Sequence, residues 1–196
     1  MMAHQITKST NYTTMIRITL SSLLLTISFF SFSQRMMDSK GYVKFFSEAP
    51  LEDIEAINEK GLGVLDLSNG NVAVAMNMKD FHFEKSLMEE HFNENYIESD
   101  KYPKGTFSGA IKNFDASVYE NLSDSLTQTV SGKMTLHGVT KNVELPITFI
   151  KDGDELVVKS EFLIRIEEYD VEVPTLLIRN IAEEVLVTTI FRLKKS

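Results

Sequence analysis

Apolar and polar residues alternate along most of the chain after residue 40, with the period of two that is typical of β-strands with one buried face. In the last such stretch, 185–193, every second side chain is apolar or threonine. The same pattern predicts about eight strands, at 41–46, 62–67, 72–83, 104–111, 126–136, 142–150, 156–167 and 185–193. The chain is therefore predicted to be built mainly from β-structure.

Short turn sequences between consecutive strands predict antiparallel hairpins. They are Asn69-Gly70-Asn71, His137-Gly138 and Asp152-Gly153-Asp154. Glycine adopts the positive φ that tight hairpin turns require, and Asn-Gly between apolar runs is a strong hairpin signal. The polar region 113–125 is predicted to be a loop with weak strand potential, and 174–180 is predicted to be a connection.

Two segments change to the helical period of 3.6 and predict two short helices. The first is 48–59, in which apolar residues recur at 51, 54 and 57 before Gly61 ends the pattern. The second is 84–96, and it is predicted to lie across one end of a barrel. The residues on its common side are Leu87, Met88, His91, Phe92 and Asn95.

Regularly spaced strands with one apolar face predict an all-β fold, namely an eight-stranded antiparallel β-barrel with an apolar inside and two short helices. A β-sandwich is the alternative that the same pattern allows. The spacing shows no repeat and no linker, so one domain, 34–196, is predicted.

The N-terminal 33 residues have the pattern of a secretory signal rather than of the fold. Arg17 precedes an apolar run at 18–32, and Ser31 and Ser33 provide small residues before a cleavage after position 33. A retained anchor is the alternative, although the run is short for a membrane span. Met15 is an alternative start, and the absence of cysteine excludes a lipoprotein anchor and any disulfide.

The charge of the chain disfavours two classes of partner. The full chain carries a formal net charge of −8, and residues 1–33 contain two basic residues and no acidic one. The domain without them is therefore still more acidic, and it should be repelled by nucleic acid and by anionic membrane surfaces. No nucleic-acid partner is expected.

The residues that could carry chemistry do not form a recognisable site. His82, His91 and His137 lie far apart in the sequence, and His91 is interpreted as a packing residue. The segment 105–109 lacks the central serine of a nucleophile elbow, and adjacent acidic pairs on strands point to opposite faces. We therefore expect no catalytic residue, no metal, no cofactor and no enzymatic activity.

The interior of the predicted barrel is the remaining candidate site, because large apolar side chains recur on successive strands. An ordinary packed core explains the periodicity more simply, but an eight-stranded barrel can also hold one small ligand. The candidate ligand-binding residues are Val74, Met76, Phe81, Phe83, Met88, Phe92, Phe107, Ile111, Phe149, Phe162, Ile164 and Phe191.

Two segments carry a resemblance to a known family. Segment 102–107 (YPKGTF) resembles the Y-P-K-A-x-F step of the YceI-like family, and 132–146 (GKMTLHGVTKNVELP) resembles its G-x-L-T-I-H-G-V-T-K-x-V-x-L-P step. The first strand lacks the histidine that the family often has there. Asp170 stands where the family usually has glycine.

The resemblance implies a lipocalin-like barrel exported to the bacterial periplasm or beyond, which holds a long apolar molecule such as a polyisoprenoid or a fatty-chain lipid. Some members of that family are dimers, so a homodimer is a candidate assembly. The alternative is a filled structural or partner-binding barrel, with an accessory role in envelope stress and no ligand. A cavity inside the barrel would favour the carrier, and a solid core would favour the alternative.

Overall fold

The structure is a computed structural model that describes residues 35–48, 53–172 and 184–195. Two short α-helices are described, α1 (Ser86–His91) and α2 (Ala116–Glu120), and a π-helical turn at Phe92–Tyr96 continues α1. Short 3₁₀ turns occupy Met78–Asp80 and Ile166–Tyr169. The strands are β1 (Arg35–Ser47), β2 (Ile54–Asp66), β3 (Asn71–Asn77), β4 (His82–Phe83), β5 (Lys104–Ile111), β6 (Ser125–Leu136), β7 (Val139–Asp152), β8 (Glu155–Arg165) and β9 (Glu184–Lys195).

Eight of the strands close into a single antiparallel barrel. They follow the order β1-β9-β8-β7-β6-β5-β3-β2, and β2 pairs again with β1 to complete the ring. Among the described strands, the short β4 pairs only with β2, through Ala56 opposite Phe83 and Ile57 opposite His82. The predicted eight-stranded antiparallel barrel with two short helices is confirmed, and the sandwich alternative is wrong.

The predicted helix at 48–59 is wrong where the structure describes it, because 54–59 belong to β2. Its inward positions include Ala56 and Asn58, which are almost completely buried and follow the period of two. The polar Asn58 hides this alternation in the sequence. It is accommodated inside because its amide donates to the Asn77 carbonyl at 2.9 Å and its Oδ1 accepts from the Lys60 amide at 2.9 Å.

The other predicted helix, at 84–96, is confirmed by α1 and its π-helical continuation. The second short helix of the structure is α2, in the region predicted to be a loop. Asp115 caps it by accepting a hydrogen bond from the Ser117 amide at 3.0 Å, a signal that the polar composition obscured. Tyr119 on α2 is buried, so this helix brings an aromatic side chain to the core.

The end of the barrel beside α2 is filled with side chains. The Phe114 and Tyr119 rings stack at a centroid distance of 5.1 Å, and Tyr119 meets Phe149 edge-to-face at 5.0 Å. Phe149 and Val130 are essentially inaccessible to solvent, and Ile111 is buried in the same core. This half of the barrel is therefore an ordinary packed core.

Tyr119→Phe is expected to remove a loss of stability at alkaline pH. The buried hydroxyl has no hydrogen-bond partner among the described residues, and burial raises the pKa of Tyr119 to about 12. Because the unfolded tyrosine has a pKa of about 10, its ionisation favours unfolding as pH rises from 10 to 12, by about 1 kcal/mol at pH 11. Urea unfolding at pH 9 and pH 11 measures this difference.

At pH 9 the same variant should be as stable as the parent or more stable, since it loses only an unsatisfied polar group. Tyr42→Phe, on the half-exposed Tyr42 of β1, serves as the control and should keep the parental alkaline loss. An equal alkaline loss in the parent and in Tyr119→Phe would contradict the prediction.

The turn between β6 and β7 fixes the opposite end of the barrel. His137 and Gly138 both have positive φ, as the predicted hairpin turn requires. The buried His137 ring donates from Nδ1 to the Tyr169 carbonyl at 3.0 Å, and its Nε2 lies 3.0 Å from the Glu98 carboxylate. The turn is thereby tied to the segments that follow β8 and α1.

Asp170 follows Tyr169 and takes the left-handed conformation, with φ of 54°. This conformation favours glycine, and aspartate is among the side chains that tolerate it best. The departure from the usual glycine at this position is therefore compatible with the turn.

Candidate ligand-binding cavity

The half of the barrel beside α1 contains a cavity of about 310 Å³. This volume is at the lower end of the range of small-molecule pockets, about 300–1,000 Å³. The lining comes from β1 to β9 and α1, and the part that the structure describes includes no aspartate, glutamate, lysine or arginine. Such a cavity suits an uncharged, apolar occupant.

Nine of the twelve residues predicted from the sequence line this cavity. Several of them, such as Val74 and Phe162, point inward from the barrel wall yet are only half-buried, because they face empty space. The nine are Val74, Met76, Phe81, Phe83, Met88, Phe92, Phe107, Phe162 and Ile164.

The other three predicted residues, Ile111, Phe149 and Phe191, are buried but do not line the cavity. Each lies beyond the last lining residue of its own strand, which is Phe107 on β5, Ile147 on β7 and Thr189 on β9. Alternation identifies the face of a strand and not the level along it. These three residues belong to the packed core.

Glycines on the barrel wall make room for two phenylalanine rings between the cavity and the packed core. A Cβ at Gly41 would overlap the Phe191 ring, and a Cβ at Gly109 would lie 2.8 Å from Cζ of Phe107. The Phe107 ring therefore lies close against the wall of β5 and β6. Phe107 is the last residue of β5 in the cavity lining, so its ring contributes to the cavity floor.

Four phenylalanines form a cluster in the lining near α1. The rings of Phe45, Phe81, Phe83 and Phe92 contact one another with centroid distances from 5.1 Å to 5.9 Å. They come from β1, the segment before β4, β4 and the π-helical turn, so these rings hold α1 against the barrel. The Glu89 carboxylate adds a hydrogen bond from the Phe83 amide at 3.2 Å.

The sequence pattern missed part of the lining. The other lining positions follow the same alternation as the predicted ones, but they carry smaller side chains or lie on β1 and β6, where no lining residue was predicted. They include Val43, Phe45, Val72, Met134, Leu145, Ile147, Val158, Val185 and Val187. Val185 and Val187 alternate in the sequence and are identifiable as inward positions from that pattern alone.

The helical segment presents part of its predicted side to the cavity, namely Met88, His91 and Phe92. Leu87 is 59% exposed and Asn95 is exposed, whereas Tyr96 and Ile97 line the cavity. The π-helical turn causes the change at Asn95 and Tyr96, because the Ile97 amide donates to the Phe92 carbonyl five residues earlier, at 2.9 Å. The extra residue in the turn rotates the following positions relative to a regular α-helix.

The three histidines of the described domain do not come together. His82 is exposed and lies 3.5 Å from Glu89, His91 lines the cavity, and His137 holds the β6–β7 turn. Within 35–48, 53–172 and 184–195, no group of three or more histidine, cysteine or acidic residues could hold a metal ion. None of the helices there has the length and apolar character to cross a lipid bilayer.

An eight-stranded antiparallel barrel with an apolar cavity in one half is a lipocalin-like barrel. The family model of the YceI-like domain matches residues 27–192, so this chain belongs to the YceI-like family. The resemblance seen in the sequence is thereby confirmed. No curated protein shows significant similarity to the chain.

Solved structures share the fold at low sequence identity. A polyisoprenoid-binding domain from Saccharophagus degradans, implicated in plant cell wall breakdown, superposes with a TM-score of 0.71 at 14% identity, covering 83% of this chain and 99% of that one. BcnA from Burkholderia cenocepacia gives 0.64 at 18% identity, with coverages of 78% and 96%. The YceI protein of Campylobacter jejuni gives 0.58 at 13% identity, with coverages of 76% and 90%.

Proposed function

We propose that this protein is an exported carrier that holds one long-chain apolar molecule, a polyisoprenoid or a fatty-chain lipid, inside the barrel. The observation that carries the proposal is the cavity of about 310 Å³, whose described lining has no charged side chain. Burial of apolar surface contributes about 0.8 kcal/mol per CH₂ group, so a chain in this cavity can be retained with few polar contacts. The polyisoprenoid-binding domain among the structural neighbours supports the same ligand class.

The proposal treats the protein as a carrier and not as an enzyme. Catalysis needs a cluster of titratable or nucleophilic groups at the site. His91 and Tyr96 are the titratable side chains of the described lining, and neither has a hydrogen-bonded partner of the kind that activates a nucleophile or a base. A binding role is therefore the better interpretation of the cavity.

Purified protein should contain, or take up, a long-chain lipid with a stoichiometry of one per barrel. Native mass spectrometry of the purified protein measures the occupancy, and organic extraction followed by mass spectrometry identifies the ligand. Protein that is always empty and takes up neither farnesol nor a fatty alcohol would refute the carrier. That result would favour the structural or partner-binding role without a ligand.

Export rests on the signal pattern at 1–33, which lies outside the described residues. Under this proposal, the protein recovered from a bacterial periplasm or medium begins at residue 34, and its intact mass shows the loss of the preceding segment. A homodimer also stays a prediction, and analytical ultracentrifugation of the purified protein tests it.

A further inference from the structure

Two polar side chains reach the cavity from the α1 segment, although the rest of the described lining from that segment is apolar. They are His91, the last residue of α1, and Tyr96, the last residue of the π-helical turn. No other described side chain forms a hydrogen bond or an ion pair with either of them. The imidazole of His91 and the phenol of Tyr96 are therefore polar groups in an otherwise apolar part of the lining, and they have no hydrogen-bond partner among the described side chains.

The π-helical turn is what places both groups at the same wall. In a regular α-helix the positions that follow Met88 and His91 on one side would include Asn95, which here is exposed. The Ile97 amide instead donates to the Phe92 carbonyl, five residues earlier, and this hydrogen bond brings Tyr96 to the cavity. Such turns are energetically unfavourable insertions in a helix and are frequent at functional sites.

The remaining polar residues of the lining differ from this pair. Ser47 already has an interaction partner, Thr135 is hydrogen-bonded to Thr140 at 2.8 Å, and Thr106 shares its strand face with exposed positions. Thr189 lies on β9 and is not part of the α1 segment. His91 and Tyr96 are consequently the polar pair that a ligand would meet beside α1.

The hydrogen-bonding chemistry of His91 and Tyr96 determines which polar end group of a ligand they can bind. Burial raises the pKa of Tyr96, so its hydroxyl stays protonated and can donate or accept a hydrogen bond. A carboxylate or phosphate taken into the cavity would need a cationic partner to offset its desolvation, and the described lining has no lysine or arginine. An uncharged oxygen, as in an alcohol, an amide or a ketone, needs only the hydrogen bonds that this pair can make.

We infer that His91 and Tyr96 form a polar subsite that binds the uncharged oxygen-containing end of a long-chain ligand, so that the carrier prefers neutral lipids such as alcohols and amides over fatty acids and lipid phosphates. This inference rests on the proposed carrier function, and it adds the class of end group and the residues that recognise it. The apolar chain then occupies the part of the cavity toward Phe107.

A matched series of probes tests the subsite on the purified full chain after removal of co-purified lipid. Hexadecanol, hexadecanamide, hexadecanoate and hexadecane have chains of equal length and differ only in the end group. At pH 8 the parent protein should bind the alcohol and the amide about ten-fold more tightly than the hydrocarbon or the carboxylate, since one or two hydrogen bonds are worth about that factor. Competition native mass spectrometry measures the ratios directly.

His91→Leu/Tyr96→Phe should remove this preference, so that hexadecanol and hexadecanamide bind no more tightly than hexadecane to the same variant. Asn95→Ala, on the exposed side of the same turn, is the matched control and should keep the preference. Equal binding of hexadecanoate and hexadecanol by the parent, or a preference that survives in the double variant, would overturn the subsite while the carrier stands. Failure of all four probes to bind the parent would overturn the carrier and the subsite together.

Discussion

Phe149→Ala is expected to lower the free energy of unfolding by about 3–5 kcal/mol, the largest effect of any single truncation proposed for this protein. Phe149 is only 1% exposed and its ring meets Tyr119 edge-to-face at 5.0 Å, so the deletion leaves a void that the closed barrel cannot fill by moving one strand. Urea unfolding followed by far-UV circular dichroism gives the change in midpoint and slope.

Leu163→Ala is the control for this measurement, because Leu163 lies on the outer face of β8 and is 60% exposed. Its effect should stay within about 0.5 kcal/mol. A loss below about 1 kcal/mol for Phe149→Ala would show that the half beside α2 is loosely packed. The division of the barrel into a packed half and a hollow half would then be wrong.

Val74→Phe/Val187→Phe is expected to weaken long-chain lipid binding by about ten-fold or more, while the fold is retained. Val74 on β3 and Val187 on β9 line the cavity from separate parts of the wall, and both are half-buried because they face the empty space. The added rings occupy the space of the ligand. Native mass spectrometry with hexadecanol measures the binding, and thermal unfolding checks the fold.

Overpacking a filled core costs about 1–3 kcal/mol, whereas rings placed in an existing cavity should cost less. The stability of the double variant therefore distinguishes a real cavity from a packed interior. Leu163→Phe adds a ring of the same size on the outer face and should leave binding unchanged. Undiminished lipid binding by the cavity variant would place the ligand elsewhere on the protein.

The barrel could be predicted from the sequence because a strand with one buried face has an apolar residue at every second position. The hairpin turns were predictable for a similar reason, since His137-Gly138 and Gly153 require positive φ and the sequence provides residues that tolerate it. The error at 54–59 came from Asn58, whose buried amide is satisfied by partners from distant and neighbouring backbone. A polar residue with such partners interrupts the pattern without interrupting the strand.

The candidate site was predictable only in part. A sequence pattern shows which face of a strand a residue lies on, but it does not show how far along the barrel axis the residue lies. Phe107 and Ile111 stand on the same face of β5, yet one lines the cavity and the other is packed in the core. The level at which the cavity ends depends on the Phe107 and Phe191 rings, which pack against the glycines of the barrel wall. It also depends on Tyr119, a buried side chain of α2, which lies in a segment of mostly polar sequence. The exposure of Asn95 in place of Tyr96 likewise depends on one backbone hydrogen bond.

The pairing of β1 with β9 determines when the barrel can form. Met36 pairs with Lys195 and Phe46 with Leu186, so the ring closes between the first and the last strands of the domain. Until β9 is available, β1 and β8 each keep an unpaired edge, and the apolar interior lies open beside them. Contacts between such distant parts of a chain make all-β domains fold slowly, on the scale of milliseconds to seconds. During synthesis, a chain that has been made only as far as β8 is therefore the species most exposed to aggregation, and β9 (Glu184–Lys195) protects it by pairing with both edges.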